Sequence, residues 1–271
     1  MTPLLAVLAL LQQTILPTPV PSRGLPLEGR AAEDFLKHAE VVSVRSFETK
    51  GVTRPRKVEL TADGRSCFAV FKTISEFTPA KKFADGGVEL AFSDSYKYEI
   101  AAYELDKLLG LGIVPPVVER RIRGETGSLS LWVEGAITEW ERIKVRDIHP
   151  PNVEAWNDQM FTIRLFLQLI YDTDYQNVSN LLVTPDWKIY KIDSSRAFRT
   201  QKKLRSEDSL LRFSRPVLDS LRRLTKDQLK STLGPWLSKA QINSLWVRRG
   251  LILELADRRV AELGEDEVLF D

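Results

Sequence analysis

The sequence predicts an α+β fold in which a strand-rich first half is followed by a mainly helical second half. Short β-prone runs separated by turn residues lie before residue 135, whereas helical patterns with capping boxes fill the chain after residue 193. A third observation is the run at residues 160–171, which is apolar nearly all round and therefore predicts a buried helix. With 271 residues and 43% hydrophobic side chains, the chain can bury one sizeable core or two small ones.

The composition excludes several classes of function. Positive and negative charges nearly cancel, leaving a net charge of +2, so we expect no nucleic-acid partner. The single cysteine, Cys67, allows no disulfide framework and no thiolate metal site. His38 and His149 are the only imidazoles and neither stands in a catalytic motif, which argues against zinc hydrolysis and Ser-His-Asp chemistry. Carboxylates and a lysine must therefore carry any chemistry.

The N-terminal residues 1–30 read as a leader followed by a linker. The apolar run Leu4–Leu11 is too short to span a membrane, and no Lys or Arg precedes it. It is either a weak secretory signal or a short amphipathic or disordered leader, so export and a cytoplasmic location both stay open. Pro, Gly and Ser are dense over residues 16–30, and we expect the folded part to begin near Ala31.

The strand-rich part contains a meander and one helix. Residues 40–47, 57–60 and 66–74 predict three consecutive strands, the last of which carries Lys72. A lysine in an apolar strand is often only an edge residue, so it needs a partner before it indicates a site. A helix is predicted over residues 93–109, capped by Ser93 or Asp94 and closed by Gly110. Two more strands follow, at residues 117–122 and 129–133.

The centre of the sequence is the segment that follows the predicted buried helix. A polar, turn-prone cluster spans residues 172–180, and a hairpin with strands at 181–183 and 187–192 leads directly into Asp193. This arrangement would hold Asp174, Asn180 and Asp193 close together. Their oxygens suit Mg²⁺ and phosphate chemistry, and a carboxylate among them is a potential proton acceptor.

The order Asp, Asn, hairpin, Asp resembles the catalytic loop and metal-binding segment of the protein-kinase-like superfamily. The residues WKIYKIDSSRAF look most like its atypical branch, which includes phosphoinositide 3-/4-kinase catalytic domains, HipA-type kinases and secretory-pathway kinases. The resemblance implies two lobes, which we place at residues 31–135 and 136–271. It also implies phosphoryl transfer from ATP with Mg²⁺ or Mn²⁺ to an unknown protein, lipid or small-molecule acceptor.

The resemblance also implies roles for individual residues. Lys72, oriented by Glu99, would position the nucleotide phosphates, and Asn180 with Asp193 would hold the metal. Asp174 would orient or deprotonate the acceptor hydroxyl. Further nucleotide contacts are expected from the turn that contains Gly51 and Thr53 and from the hinge formed by Trp132, Val133 and Glu134. Trp132 is equally well explained by core packing.

Two features of spacing shape these expectations. Asp174 and Asn180 are six positions apart where the family's usual step is five, and we expect the polar residues 176–179 to bulge into solvent and absorb the extra residue. Upstream, the segment around Asp147 imitates a catalytic loop, but we interpret it as a proline-stiffened connector. A non-catalytic pseudokinase that binds nucleotide or acts as a scaffold, and nucleotidyl transfer from ATP, remain alternatives to phosphoryl transfer.

Overall fold

The structure is a computed structural model that describes residues 29–46, 55–82 and 86–271. The predicted α+β class is confirmed, because a strand-rich lobe precedes a mainly helical one and the chain crosses between them at residues 132–136. The first lobe contains α1 (Gly29–His38), β1 (Glu40–Ser46), β2 (Arg56–Ala62), β3 (Arg65–Lys72), β4 (Ser75–Lys82), β5 (Val88–Ser95), α2 (Tyr96–Leu109), β6 (Val117–Ile122) and β7 (Glu125–Leu131).

The second lobe begins with a short strand and ends in helices. Its elements are β8 (Ile137–Thr138), α3 (Glu139–Glu141) running into a π-helical turn (Arg142–Arg146), α4 (Val153–Ile170), β9 (Leu181–Val183), β10 (Ile189–Lys191), β11 (Phe213–Ser214), α5 (Arg215–Arg223), α6 (Lys226–Leu233), α7 (Lys239–Leu263), α8 (Glu265–Val268) and β12 (Leu269–Phe270). No helix among the described residues is long and apolar enough to cross a membrane.

The predicted meander is confirmed as one side of a five-stranded antiparallel sheet. The strand order is β1-β2-β3-β7-β6, with β3 at the centre between β2 and β7. Buried side chains from β2 and β3, including Leu60 and Phe71, pack against Leu36 of α1 and form the core of this lobe. Strand β3 is paired with β2 as far as Phe71, and its last residue, Lys72, is paired with Ser128 of β7.

Helix α1 and the β4–β5 hairpin were not foreseen. Helix α1 begins at Gly29, inside the stretch interpreted as a linker, and buries Ala32 and Leu36 against the sheet. Within the described part of the chain, strands β4 and β5 pair only with each other, and several of their side chains are exposed, among them Phe77 and Leu90. Strand β4 contains Pro79 and ends in two lysines, a composition that argues against a strand, so no partner for β5 was predicted from the sequence.

Helix α2 is the helix predicted in the first lobe, with a corrected start. Its N-cap is Ser95, whose hydroxyl accepts from the backbone N–H of Lys97, rather than Ser93 or Asp94. The reason is that β5 continues in register with β4 through Ser95, so the two earlier residues are still extended. At the other end Gly110 adopts φ +69°, the left-handed conformation expected of a glycine cap.

Helix α4 confirms the prediction of a buried helix at the centre of the second lobe. Ile163, Phe166 and Leu169 are completely buried. The helix starts at the Asn152 cap and ends where Tyr171 turns left-handed, with φ +50°. Beyond it, β9 and β10 form the predicted hairpin, with Leu181 opposite Lys191. The two predicted capping boxes, at the starts of α6 and α7, are also present.

Candidate active site

The site is built around a lysine that contacts two carboxylates from distant parts of the chain. Lys72 Nζ lies 2.7 Å from Glu99 Oε1 and 2.8 Å from Asp193 Oδ1. The second oxygen of Glu99 accepts from the backbone N–H of Ser194 at 3.0 Å. Strand β3, helix α2 and the chain after β10 thus meet at one point, which joins the two lobes.

The position of Lys72 is fixed by close packing of its backbone. Lys72 lies opposite Ser128 in the β3–β7 pair. A Cβ atom on the neighbouring Gly127 would lie 2.2 Å from the carbonyl oxygen of Lys72. Only glycine therefore allows β7 to approach β3 as closely as it does here.

The charges of the cluster support one another. Burial alone would lower the pKa of the Lys72 ammonium, but the carboxylates of Asp193 and Glu99 outweigh burial and hold that pKa above its usual value. Burial alone would raise the pKa of Asp193, yet Lys72 and, to a smaller extent, Lys191 hold it well below the ordinary range. The Asp193 side chain keeps 36% of its surface exposed, so an ionised carboxylate is presented to a ligand or cation.

Asp174 stands in the loop after α4 and is held at both its backbone and its side chain. Its N–H donates to Asp172 Oδ1 at 2.8 Å, and its Oδ1 accepts from Arg196 at 3.0 Å. Burial raises the pKa of Asp174 above the model-peptide range; Arg196 opposes the rise, whereas Asp172 and Asp193 add to it. About a third of its side-chain surface is exposed, 34%, which leaves the carboxylate within reach of a substrate.

A buried ion pair between Asp172 and Lys191 supports Asp174 and Asp193. Lys191 Nζ lies 3.0 Å from Asp172 Oδ2, and the two side chains are 1% and 0% exposed. The ammonium directs its hydrogen bonds at the carbonyl oxygens of Ile192 and Asp193, at 2.5 and 2.8 Å. Because Asp193 adopts the left-handed φ of +58°, this bond to its carbonyl holds an uncommon backbone conformation.

The loop between Asp174 and Asn180 has its polar middle residues on the surface, as the sequence predicted. Gln176, Asn177 and Ser179 are exposed, and a 3₁₀ turn over Val178–Asn180 returns the chain to the interior. Asn180 is buried and its backbone carbonyl accepts from Ile192 N at 2.9 Å, directly before Asp193. The hairpin thus brings Asn180 and Asp193 together, as the sequence predicted.

The chemistry of these side chains suits a hard divalent cation. Asp94 Oδ1 is buried without a hydrogen-bond partner among the described residues, and the buried Asn180 side chain carries an amide oxygen that could ligate a cation. Burial raises the pKa of the Asp94 carboxyl group, a hydrogen bond with the Ser195 side chain lowers that pKa, and the charge of Asp193 raises it. Asp94, on β5, thus interacts electrostatically with the site. No three His, Cys, Asp or Glu side chains in the described ranges are close enough to hold a metal by themselves. A cation here would therefore rely on substrate oxygens and water, as Mg²⁺ commonly does.

The predicted hinge residues lie in the connection between the lobes. The Trp132 N–H donates to the carbonyl of Phe68 at 2.9 Å, which continues the sheet one residue past β7. Its ring is half-buried and is covered by Lys57 Nζ, 4.0 Å from the ring centre. Val133 is half-buried and Glu134 is exposed. The ring of Trp132 thus packs against the sheet, while the two residues after it lie in the irregular segment that connects the lobes.

Two remaining predictions concern flanking segments. Gly51 and Thr53, expected in the phosphate-binding turn, lie outside the described residues. The structure agrees with the interpretation of the Asp147 segment as a connector, since the Asp147 side chain is 89% exposed and lies 3.9 Å from the His149 imidazole. Asn152 at the end of this connector serves as the cap of α4.

Sequence reasoning missed four residues that shape the site. Arg196 pairs with both Asp174 and Glu89, and Glu89 comes from the β4–β5 hairpin more than 100 positions away. No local pattern reports such a contact. The Asp172–Lys191 pair did leave a signal, because Lys191 interrupts an otherwise apolar strand and a buried lysine requires a carboxylate.

Comparison with known proteins finds resemblance in structure but not in sequence. No protein-family model matches the chain, and no curated protein matches it. The structure of hydra Fam20 with a sugar superposes with a TM-score of 0.64 at 16% identity, covering 92% of this chain and 95% of that one. The Golgi casein kinase gives a TM-score of 0.59 at 15% identity, covering 88% and 77%.

A third structure comes from a bacterium. The Helicobacter pylori proinflammatory kinase CtkA superposes with a TM-score of 0.50 at 13% identity, covering 84% of this chain and 97% of that one. Identities this low speak for the fold alone. The chain has a two-lobed protein-kinase-like fold, similar to that of these structures.

Proposed function

We propose that the protein transfers a phosphoryl group from ATP to a hydroxyl acceptor in a reaction that depends on Mg²⁺ or Mn²⁺. The observation that carries the proposal is the contact of Lys72 with both Glu99 and Asp193, at 2.7 and 2.8 Å. A lysine held in this way presents its charge beside a carboxylate that stays ionised, which is the arrangement required to bind a metal-nucleotide complex.

The metal would be held by Asn180 and Asp193, with Asp94 as a further buried carboxylate near the site. Bound there, it would neutralise charge on the nucleotide phosphates. Lys72 would contact the phosphates, and Glu99 keeps the lysine in place while it also fixes the backbone of Ser194. The connection at residues 132–134 supplies the backbone groups that would meet the adenine.

Asp174 would act on the acceptor. As the hydroxyl oxygen forms a bond to the γ-phosphorus, the bond to the β-phosphate bridging oxygen breaks, and the hydroxyl proton passes to the Asp174 carboxylate. The products are a phosphorylated acceptor and ADP. The raised pKa of Asp174 makes its carboxylate a better proton acceptor than an ordinary aspartate.

The experiment is a transfer assay with γ-labelled ATP, Mg²⁺ or Mn²⁺ and generic protein, lipid and sugar acceptors. We expect label in an acceptor or as released phosphate, and loss of at least about 100-fold in rate for Asp174→Asn. Asp147→Asn is the matched control because that side chain is exposed and its contact is with His149 rather than with a residue of the site. A parallel reaction with α-labelled ATP detects nucleotidyl transfer, and label transferred only in that reaction would refute a kinase.

A second candidate function is that of a nucleotide-binding pseudokinase. It is favoured by the ion pair in which Arg196 occupies Asp174 Oδ1 at 3.0 Å, because a base engaged by a guanidinium is less free to accept a proton. Saturable nucleotide binding without transfer or hydrolysis under any of these conditions would decide for this alternative.

A further inference from the structure

A basic cavity lies beside Asp174 and is not used by the nucleotide chemistry. Its volume is about 300 Å³, and three arginines line it together with a single carboxylate. Residues of its wall used below are Glu89, Tyr171, Thr173, Arg196, Arg199 and Arg205. Thr173 precedes Asp174 and donates from its hydroxyl to the carbonyl of Arg196 at 3.1 Å. The cavity is therefore next to the residue proposed to activate the acceptor.

The wall of this cavity carries a net positive charge. Glu89 is the one carboxylate of the wall, and it contacts both Arg196 and Arg199. Arg205 stacks on Tyr175 with its guanidinium 4.9 Å from the ring centre. Among the described residues, these three guanidinium groups form ion pairs with two carboxylates, Glu89 in the wall and Asp174 beside it. The excess positive charge lies in a concave space, where low-dielectric walls strengthen attraction for an anion.

A completely buried arginine, Arg248, lies behind the wall of the cavity. Arg248 is 0% exposed and donates to the backbone carbonyls of Leu169, Arg199 and Gln201 rather than to a carboxylate. Its Nη2, and the Nε of the 7%-exposed Arg199, are buried without a hydrogen-bond partner in the described part of the chain. Burial lowers the pKa of Arg248 to about 10 and also lowers that of Arg199, as expected for cations that lack full compensation.

We propose that this cavity is the binding subsite for a phosphate group carried by a small soluble acceptor, whose hydroxyl is thereby placed at Asp174. The proposal rests on the function proposed above. Forked guanidinium groups suit the oxygens of a phosphate monoester, and several cations match its double charge better than that of one carboxylate. A cavity of about 300 Å³ accommodates one small molecule and no folded domain. Glu89 occupies part of the arginine surface and competes with the ligand for it.

Calorimetric titration without nucleotide tests the subsite separately from catalysis. The probes are inorganic phosphate, glycerol 3-phosphate, glycerol and acetate at constant ionic strength, since surface attraction is screened by salt. We expect the two phosphates to bind and glycerol and acetate to bind at least about tenfold more weakly. Arg205→Gln should weaken phosphate binding about tenfold, because one charged hydrogen-bond donor is lost. Glu89→Gln should strengthen it, because the competing carboxylate is removed.

Arg222→Gln is the matched control, since this exposed arginine pairs with Asp219 and Asp257 away from the cavity. Equal weakening in that variant, or phosphate binding that ignores both Arg205 and Glu89, would overturn the proposal. So would binding only to vesicles that contain phosphatidic acid, which would assign the site to a lipid. If glycerol 3-phosphate binds as expected but no variant or condition transfers phosphate, the subsite stands and the proposed kinase function fails.

Discussion

Lys191 Nζ lies 3.0 Å from Asp172 Oδ2, and this completely buried pair links the loop of Asp174 to the strand that ends at Asp193. Asp172 accepts the N–H of Asp174, while Lys191 donates to the carbonyl of Asp193. The relative position of Asp174, the proposed base, and Asp193, the proposed metal ligand, is thus set by two buried side chains that a substrate does not reach. The pair is a support for the site rather than a part of its chemistry.

Removing one partner of this pair should be costly. Lys191→Met leaves the Asp172 carboxylate buried without its cation, and we expect a loss of about 3–5 kcal/mol in the free energy of unfolding. Urea unfolding followed by circular dichroism measures the loss. Lys230→Met is the control, because Lys230 pairs with Asp227 on the surface and should change stability by less than about 1 kcal/mol. Similar small losses for both variants would mean that the Lys191 pair does not organise the loop.

Replacing both members separates structure from function. The double variant Asp172→Leu with Lys191→Met should recover much of the stability, because apolar side chains can replace a buried pair. It should not recover transfer activity, since neither Asp174 N–H nor the Asp193 carbonyl keeps its side-chain partner. Full activity in a stable double variant would show that the pair is needed for folding alone.

Gly127 gives a test of the packing that fixes Lys72. Gly127→Ala places a methyl group 2.2 Å from the Lys72 carbonyl oxygen, so one strand must move, at a cost of about 1–3 kcal/mol and with weaker nucleotide binding. Gly250→Ala, within α7, is the matched control, because a Cβ atom there meets nothing within 4 Å. This substitution should stabilise the helix by about 0.4–1 kcal/mol. Thermal unfolding with and without Mg·ATP measures both effects. An unchanged nucleotide affinity in Gly127→Ala would separate Lys72 from this contact.

The pH dependence of turnover should report on Asp174. Its pKa is raised by burial, so activity that needs the carboxylate should fall on acidification at a higher pH than for an ordinary aspartate. Arg196 lowers this pKa, and therefore Arg196→Gln should move the acidic limb of the pH profile to still higher pH. The measurement is kcat/KM for ATP hydrolysis across pH, with Arg222→Gln as the control. A limb that moves to lower pH in Arg196→Gln would contradict the assignment of Asp174 as the base.

The sequence predicted those parts of the fold that depend on a local pattern of apolar and turn-forming residues. The apolar run around Phe166 predicted α4, and the hairpin before Asp193 followed from two short runs with a turn between them. Helix α1 was missed because the residues up to Arg30 were assigned by their Pro and Gly content. The helical pattern is present, because Ala32, Phe35, Leu36 and Ala39 follow the i, i+3, i+4, i+7 spacing, but it spans little more than two turns and was not recognised beside the Pro- and Gly-rich stretch.

Long-range contacts explain what the sequence could not provide. Glu89 meets Arg196 and Arg199 only because the β4–β5 hairpin folds onto the chain after Asp193, and no spacing in the sequence encodes that approach. The basic cavity was invisible for the same reason. By contrast, Lys72 and Glu99 were predicted through a resemblance that ties each of them to a local motif.

Thermal unfolding with Mg·ATP tests most directly whether Lys72, Glu99 and Asp193 form a nucleotide site. At a concentration 100 times Kd the nucleotide should stabilise the protein by about 2.7 kcal/mol, and removal of the metal by EDTA should reduce the effect. Asp193→Asn should lose the metal-dependent part, whereas Asp147→Asn should keep all of it. No stabilisation at millimolar Mg·ATP, or equal stabilisation of wild type and Asp193→Asn, would contradict the account.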